Sequence, residues 1–191
     1  MVTGFTHYKG FRAAQHTGFV DVFTRFLDEQ KFDTIIEIGT LNGGLTRFLK
    51  DASPNSRLVS YDVTPQPEHQ ALIECGVELK IKNIFDGYYA VVDQEAIGIL
   101  NSDGKKLILC DGGNKAAEFN HLAEYMKSGD FIMAHDYSYD HNLYNGQIYD
   151  KVWNWCEITE KDISGVSANF NLVHYNKEEF QSIVWVCKTK T

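Results

Sequence analysis

Residues 35–44 of the chain read IIEIGTLNGG, and this stretch decides the fold that the sequence predicts. Together with Thr34, its first half is a short run of β-branched and apolar residues, which is typical of a buried strand. Its second half carries glycines at positions 39, 43 and 44, which permit a tight turn and let a ligand approach the backbone. A helix is expected from Gly43 to Lys50, and its free N–H groups favour an anionic ligand.

The same alternation of strand and helix patterns continues along the chain. After the first strand, Thr34–Ile38, six further apolar runs are predicted as strands: Leu58–Tyr61, Val77–Ile81, Lys106–Cys110, Phe131–Ala134, Leu172–Tyr175 and Ser182–Cys187. Helical spacing of apolar residues predicts further helices over Ala13–Gln30, Val91–Leu100 and Ala116–Lys127, and Thr159 is predicted to cap another.

This order predicts an α/β fold, with a seven-stranded and mostly parallel sheet that carries helices on both faces. The last two runs are joined by only a short polar segment around residues 176–178, too short for a parallel crossover, so they are expected to form an antiparallel hairpin. We expect one domain over residues 1–191, with residues 1–30 as an N-terminal helical extension.

The bulk composition limits the partners. The formal net charge of −8 argues against nucleic acid or an anionic membrane as a partner, and a small molecule is favoured instead. The four cysteines form no C-x-x-C pair, and the N-terminus has no signal peptide, so a reduced, cytoplasmic protein is expected. The oligomeric state stays open, a homodimer included.

In open α/β sheets ligands bind beyond the carboxyl ends of the strands, so the residues there are the candidates for a site. At the end of the first strand these are Glu37, Gly39, Thr40 and Gly43. Asp62 ends the second strand and can accept the hydroxyls of a ribose, although a lone aspartate is more often a solvated turn residue. After the third strand, Asn83, Phe85 and Asp86 can hold an adenine, or simply form a β-turn.

The fourth and fifth strands end in carboxylates. Asp111 follows one strand, and His135 and Asp136 follow the other, at the same edge of the sheet. Two carboxylates and an imidazole suit a divalent cation, which is Mg²⁺ or Ca²⁺ if oxygen ligands dominate and Mn²⁺ or Fe²⁺ if the imidazole joins. The alternative is that the aspartates only cap loops or face the charge of a cofactor.

The combination resembles the class I S-adenosylmethionine (SAM)-dependent methyltransferases, which have a Rossmann-like fold. The resemblance rests on Glu37-x-Gly39-x-x-x-Gly43, on Asp62 and Asp86 at their strand ends, and on the terminal hairpin. The G-x-x-x-G-G turn differs from the G-x-G-x-x-G of dinucleotide binders. Within the class, the segments around Asp111 and Asp136 are similar to the cephalosporin-hydroxylase-like and macrolide-sugar O-methyltransferase group.

That resemblance implies SAM as cofactor, O-methylation of a small-molecule hydroxyl, and Mg²⁺ or another divalent cation held by Asp111 and Asp136, with His135 where a further acidic ligand often stands. The group often has a histidine three residues after the first of these acids, and here the position is Asn114. The remaining candidates for the catalytic base are His135, His141 and Lys115, and Lys115 would need a strongly depressed pKa.

Two more segments are expected near the acceptor. Residues 137–150 are long for a connection and carry four tyrosines, so they are predicted to form an active-site loop, with a packed surface loop as the alternative. Tyr8, Lys9 and Gln15 are expected to help close the site, whereas Trp153 and Trp155 are expected to anchor the next helix. A catalytically degenerate SAM- or nucleotide-binding module and a metal-dependent hydroxylase-like enzyme remain as alternative functions.

Overall fold

The computed structural model describes residues 6–191. Their chain order begins with strands β1 (Thr6–Tyr8) and β2 (Phe11–Ala13), followed by helix α1 (Phe19–Gln30). The central elements are then β3 (Thr34–Ile38), α2 (Gly44–Ala52), β4 (Arg57–Asp62), α3 (His69–Glu74), β5 (Glu78–Ile81), α4 (Gln94–Leu100), β6 (Lys106–Cys110), α5 (Lys115–Leu122) and β7 (Phe131–Ala134).

The C-terminal part is more irregular. It contains β8 (Tyr137–Ser138), the short helix α6 (His141–Leu143), a π-helical turn (Tyr144–Ile148), β9 (Ile158–Thr159), α7 (Glu160–Asn169), β10 (Leu172–His174), α8 (Lys177–Ser182) and β11 (Val186–Lys190). Thr159 caps α7 together with Asp162, as its spacing predicts.

The main sheet has seven strands in the order β10-β11-β7-β6-β3-β4-β5. The pairs from β7 through to β5 are parallel, and β11 is antiparallel to both of its neighbours. The predicted fold class and the antiparallel pairing of the last two strands are therefore confirmed. The sequence order changes direction at β3, so β3 and β6 border the point where a ligand is expected.

The two faces of the sheet carry separate apolar cores. On one face α1, α2 and α8 pack with residues such as Phe23, Phe48 and Phe180. On the other face α4, α5 and α7 pack with residues such as Ile99, Phe119 and Ile163. Helices on both faces explain why all five residues of β3 are buried.

Two predicted elements were wrong in part. The helix predicted from Ala13 begins only at Phe19, and residues 6–13 form an antiparallel hairpin. The predicted helical extension over residues 1–30 is therefore helical only from Phe19 to Gln30. Residues 1–5 of that extension lie outside the described part of the chain. Each hairpin strand has only three residues, which is too short to produce a readable periodicity.

The strand predicted over Ser182–Cys187 is displaced. Residues 177–182 form α8, and Val184 has a left-handed backbone (φ 59°), which interrupts any extended run before Trp185. Sheet pairing begins at Val186, opposite Ala134. The hairpin connection is thus a short helix and not a simple polar loop. Within residues 6–191, no helix is long and apolar enough to cross a membrane.

Candidate functional site

A cavity of about 570 Å³ lies beyond the carboxyl ends of β3, β4, β5 and β6. Of the residues predicted to bind a cofactor, it is lined by Gly39, Asp62, Asn83, Phe85, Asp86 and Asp111. Tyr61 and Glu118 also line this larger cavity and were not predicted, because neither stands in a recognisable motif. Its volume falls in the range of roughly 300–1,000 Å³ that is usual for ligand sites.

Gly39 forms the floor of the larger cavity with its backbone. Its φ is 97°, and its amide donates to the carbonyl oxygen of Tyr61 at 2.8 Å. A β-carbon at this position would overlap the backbone carbonyl of Asp111. Only glycine therefore allows β3 and β6 to approach each other here while the turn keeps its left-handed conformation.

Glu37 and Gly43 lie behind the turn and outside both cavity linings, although they were predicted to bind a cofactor. Glu37 is fully buried and accepts hydrogen bonds from Thr46 Oγ1 (2.6 Å) and Ser60 Oγ (2.5 Å). Burial raises the pKa of Glu37 to about 8, against the opposing effect of these two hydroxyls. Gly43 (φ 77°) precedes α2 and packs against Leu72. Both residues hold the shape of the turn.

Asp62 and Asp86 shape the rim of the larger cavity. Asp62 accepts hydrogen bonds from the amides of Leu41 (2.7 Å) and Thr64 (2.9 Å), one on each oxygen. Since a carboxylate has about four lone-pair sites, both oxygens keep acceptor capacity for hydroxyl groups of a ligand. Asp86 accepts from the amides of Tyr88 (2.8 Å) and Ala90 (3.0 Å) through Oδ1, which is the β-turn arrangement.

The wall between these two aspartates is aromatic. Phe85 is buried, packs against Tyr89 with ring centroids 5.7 Å apart, and donates its amide to Asn83 Oδ1. Tyr61 is also buried, and its hydroxyl has no hydrogen-bond partner among the described residues. An aromatic surface with a nearby unsatisfied hydroxyl suits a flat ring that carries polar atoms at its edge.

A second cavity of about 200 Å³ adjoins the first and shares with it the residues Gly39, Leu41 and Asp111. Thr40 lines this smaller cavity and is hydrogen-bonded to Ser60 Oγ at 2.6 Å. Trp153 and Trp155, which were expected to anchor the next helix, also line it. No helix begins at them, because residues 154–157 are irregular.

Gln15 connects the N-terminal segment to the site. Its side chain is buried, donates to Asp111 Oδ2 at 2.8 Å, and accepts from Trp185 Nε1 at 2.9 Å. It lines the smaller cavity, as predicted for a residue that helps close the site. Lys9 instead forms an ion pair with Asp51, and Tyr8 packs on Phe48, so neither reaches the two cavities.

His135 is held between two indole rings, stacked on Trp185 at 4.9 Å and tilted against Trp153 at 5.2 Å. Its Nδ1 lies 3.1 Å from Asp111 Oδ1, and its Nε2 is buried without a hydrogen-bond partner among the described residues. Although burial favours the neutral imidazole, the charges of Asp111 and Asp136 raise the pKa of His135.

Lys115 is the first residue of α5, and Asn114, which stands where the resembling group often has a histidine, caps that helix by accepting from the amide of Ala117. The Lys115 side chain is only 6% exposed, and its ammonium lies 2.7 Å from Glu157 Oε2 and 3.0 Å from Asp136 Oδ2. Burial lowers the pKa of Lys115, but the charges of Asp111 and Asp136 outweigh burial and raise it. A lysine that stays protonated does not suit the role of a base.

The residues predicted to hold a metal do come together, since ligand atoms of Asp111, His135 and Asp136 all lie within 4.8 Å of one another. Each of the four aspartate oxygens, however, already has one partner. Asp111 receives Gln15 on Oδ2 and His135 on Oδ1, and Asp136 receives Trp153 Nε1 on Oδ1 and Lys115 on Oδ2. With an ammonium among them, these residues as arranged do not fit a divalent cation.

His141 lies apart from this cluster. It is exposed, and its Nδ1 is 4.0 Å from Cys156 Sγ. Neither His141 nor any other residue of the predicted loop 137–150 lines the two cavities. The segment that does so follows directly, with Trp153, Trp155 and Glu157.

Comparisons with known proteins agree with this architecture. No model of a known protein family matches the sequence, and no curated protein matches it either. The structure is similar to an O-methyltransferase family protein from Burkholderia thailandensis, with a TM-score of 0.58 and 12% identity over 90% of this chain and 55% of that one. It is also similar to CmcI with Mg and SAM, with a TM-score of 0.61 and 14% identity over 97% of this chain and 77% of that one.

A third similar structure is the O-methyltransferase NcsB1 from neocarzinostatin biosynthesis, in complex with SAM and 2-hydroxy-5-methyl naphthoic acid. Its TM-score is 0.54, with 13% identity over 91% of this chain and 57% of that one. The chain thus spans little more than half the length of two of these proteins. At such low identity the likeness establishes only that the chain shares its fold with these proteins.

Proposed function

We propose that the protein is a SAM-dependent methyltransferase that methylates a hydroxyl of a small molecule. The observation that carries the proposal is the meeting of the two cavities at Gly39, Leu41 and Asp111. A cofactor in the larger cavity and an acceptor in the smaller one would then face each other across this junction. Similar structures that hold SAM support the assignment of the larger cavity.

SAM supplies a methyl group on a sulfonium, which is an already activated leaving group, so the chain mainly has to align the two reactants. Alignment alone is worth up to roughly 7–11 kcal/mol in favourable cases. Gly39 lets the backbone approach the cofactor, Asp62 offers acceptors for its ribose, and Phe85 offers an aromatic surface for its adenine. His135 lines the smaller cavity, and its Nε2 has no hydrogen-bond partner among the described residues, so in its neutral form this imidazole can take the hydroxyl proton.

Several features favour a small acceptor. The smaller cavity measures only about 200 Å³, and its walls combine the indoles of Trp153 and Trp155 with polar groups such as Gln15. A sugar or another hydroxylated metabolite fits such a wall, because the indoles offer apolar area and the polar groups fix orientation. The net charge of −8 also disfavours a nucleic-acid acceptor.

Calorimetric titration of the full chain with SAM and S-adenosylhomocysteine tests the proposal. We expect both to bind, and Asp62→Ala to weaken binding at least about tenfold, while the exposed Asp103→Ala serves as a matched control without effect. If neither SAM nor S-adenosylhomocysteine binds, the proposal is rejected. A screen with labelled SAM and a pool of cell metabolites would then identify the acceptor.

The same assays separate the alternatives. A degenerate SAM-binding module would bind SAM without labelling any acceptor in the pool. A metal-dependent hydroxylase would consume oxygen when supplied with iron, and the Lys115 ammonium beside Asp111 and Asp136 argues against such a centre.

A further inference from the structure

The cluster at the ends of β6 and β7 has the acidic groups of a cation site, and it already contains a cation. The Lys115 ammonium lies 3.0 Å from Asp136 Oδ2 and 3.7 Å from Asp111 Oδ1, the two carboxylates that a divalent ion would bridge. It also lies 2.7 Å from Glu157 Oε2. Three carboxylates from three separate segments therefore surround one ammonium.

Local structure determines where this lysine lies. The Asn114 cap starts α5 at Lys115, which places the lysine four residues after Asp111 and directs its side chain back along the sheet edge. Glu157 is fixed on the other side, because its amide donates to the carbonyl oxygen of Asp136 at 2.9 Å. The ammonium is thus held by both strand ends and is not a mobile surface charge.

Lysine also satisfies the hydrogen-bonding pattern better than a metal ion would. Asp111 pairs with Gln15 and His135, and Asp136 accepts from Trp153 on Oδ1, which leaves Asp136 Oδ2 to pair with the Lys115 ammonium. A divalent ion bound at Asp136 Oδ2 would compete for that oxygen with the ammonium 3.0 Å away and would repel it.

We propose that the Lys115 ammonium takes the position of a divalent cation in this cluster, so that the chain excludes Mg²⁺ and presents a lysine to the acceptor oxygen. Lys115 lines the smaller cavity beside His135 and Asp136, and so lies on the wall that an acceptor would touch. Its positive charge stabilises negative charge that develops on the acceptor hydroxyl as the proton leaves. This acceptor-facing role rests on the methyl transfer proposed above, whereas the position of the cation does not.

In the reaction, the acceptor oxygen forms a bond to the methyl carbon while the carbon–sulfur bond breaks and its electron pair stays on sulfur. The hydroxyl proton leaves to a base, and the products are the methyl ether, S-adenosylhomocysteine and that proton. The ammonium of Lys115 keeps all its protons throughout, because it acts by charge and hydrogen bonding alone.

Titration of the full chain with Mn²⁺, followed by electron paramagnetic resonance of the free ion, tests the position of the cation. We expect the wild-type protein and the Asp136→Asn variant to give the same Mn²⁺ titration, because the cluster itself binds no ion in either. Lys115→Met removes the charge but keeps the length of the side chain, and we expect it to bind Mn²⁺ at least about tenfold more tightly. The exposed Lys161→Met is the matched control and should behave as wild type.

Two results would overturn the inference. The first is Mn²⁺ binding by the wild type that Asp136→Asn abolishes. The second is a Lys115→Met variant that has the wild-type circular dichroism spectrum but binds Mn²⁺ no more tightly than the wild type. The wild-type titration is decisive even if the variant does not fold. Methyl transfer by the wild type should be unchanged by EDTA, and a loss of transfer on chelation would also contradict the inference. Failure to bind SAM would instead reject the proposed function and leave the Mn²⁺ result standing.

Discussion

Replacement of Gln15 by leucine tests the network that ties the N-terminal segment to the site. The change preserves the approximate volume of a buried side chain but removes both of its hydrogen bonds, to Asp111 Oδ2 at 2.8 Å and from Trp185 Nε1 at 2.9 Å. The indole N–H is then buried without an acceptor, which costs about 1–3 kcal/mol. Asp111 faces a cavity, so water can replace part of its lost bond, and about 1 kcal/mol more is expected there.

The free energy of unfolding should therefore fall by about 2–4 kcal/mol, which corresponds to a decrease in Tm of roughly 4–16 °C for a chain of this size. Urea denaturation followed by tryptophan fluorescence measures it, and an unchanged m value shows that the unfolded state is unaffected. The double variant with Trp185→Phe should lose less than the sum of the single variants by at least about 1 kcal/mol. Strict additivity would refute the bridge, because independent sites do not share a bond.

Three further predictions concern the cofactor turn and the pH dependence of stability. Gly39→Ala should weaken SAM binding at least about tenfold in calorimetry, because its β-carbon overlaps the Asp111 carbonyl, whereas Gly98→Ala in the open face of α4 should leave it unchanged. Burial raises the pKa of Glu37 to about 8 in the folded chain, so its contribution to stability is fully present below the unfolded value of 4.5 and is lost as the pH rises through about 8. Glu37→Gln should therefore flatten the decline of Tm over this pH range. A decline identical to that of the wild type would contradict the assignment. For Glu160, the effect of burial is outweighed by His174 and Lys188, which lower its pKa to about 2. Its contribution to stability is therefore present above pH 4.5 and disappears as the pH falls towards 2. Acid denaturation of Glu160→Gln should show a smaller loss of stability over that pH range than the wild type.

The parts of the fold that were predictable are those whose sequence pattern has a local cause. Strands β3, β6 and β7 have the predicted bounds residue for residue, because each is a mostly apolar run in which every residue is buried. The displaced strand shows the limit of this reasoning. Ile183 and Trp185 are as buried as strand residues, but they lie in a loop, and burial alone does not distinguish the two.

The candidate site divides in the same way. Asp111 and Asp136 could be placed from sequence, because parallel strands end at one edge of the sheet. The contact between Gln15 and Trp185 could not, since the residues are 170 positions apart and no motif links them. The surroundings of Lys115 could not be placed from sequence either, because the charges next to it come from residues 136 and 157, which only the folded chain brings to it.

The reversed direction of β11 affects the order in which the chain can assemble. β10 precedes β11 in the chain, but in the main sheet β11 lies between β10 and β7. β10 therefore joins the sheet through β11. β10 cannot reach its final position until β11 has been synthesised. The stack of Trp185 on His135 likewise forms only after residue 185 has been added. This C-terminal segment therefore docks late, and its hydrogen bond from Trp185 to Gln15 joins residues 170 positions apart; such long-range closure slows folding. Pulsed hydrogen exchange during refolding should accordingly show β3 and β6 protected before β10.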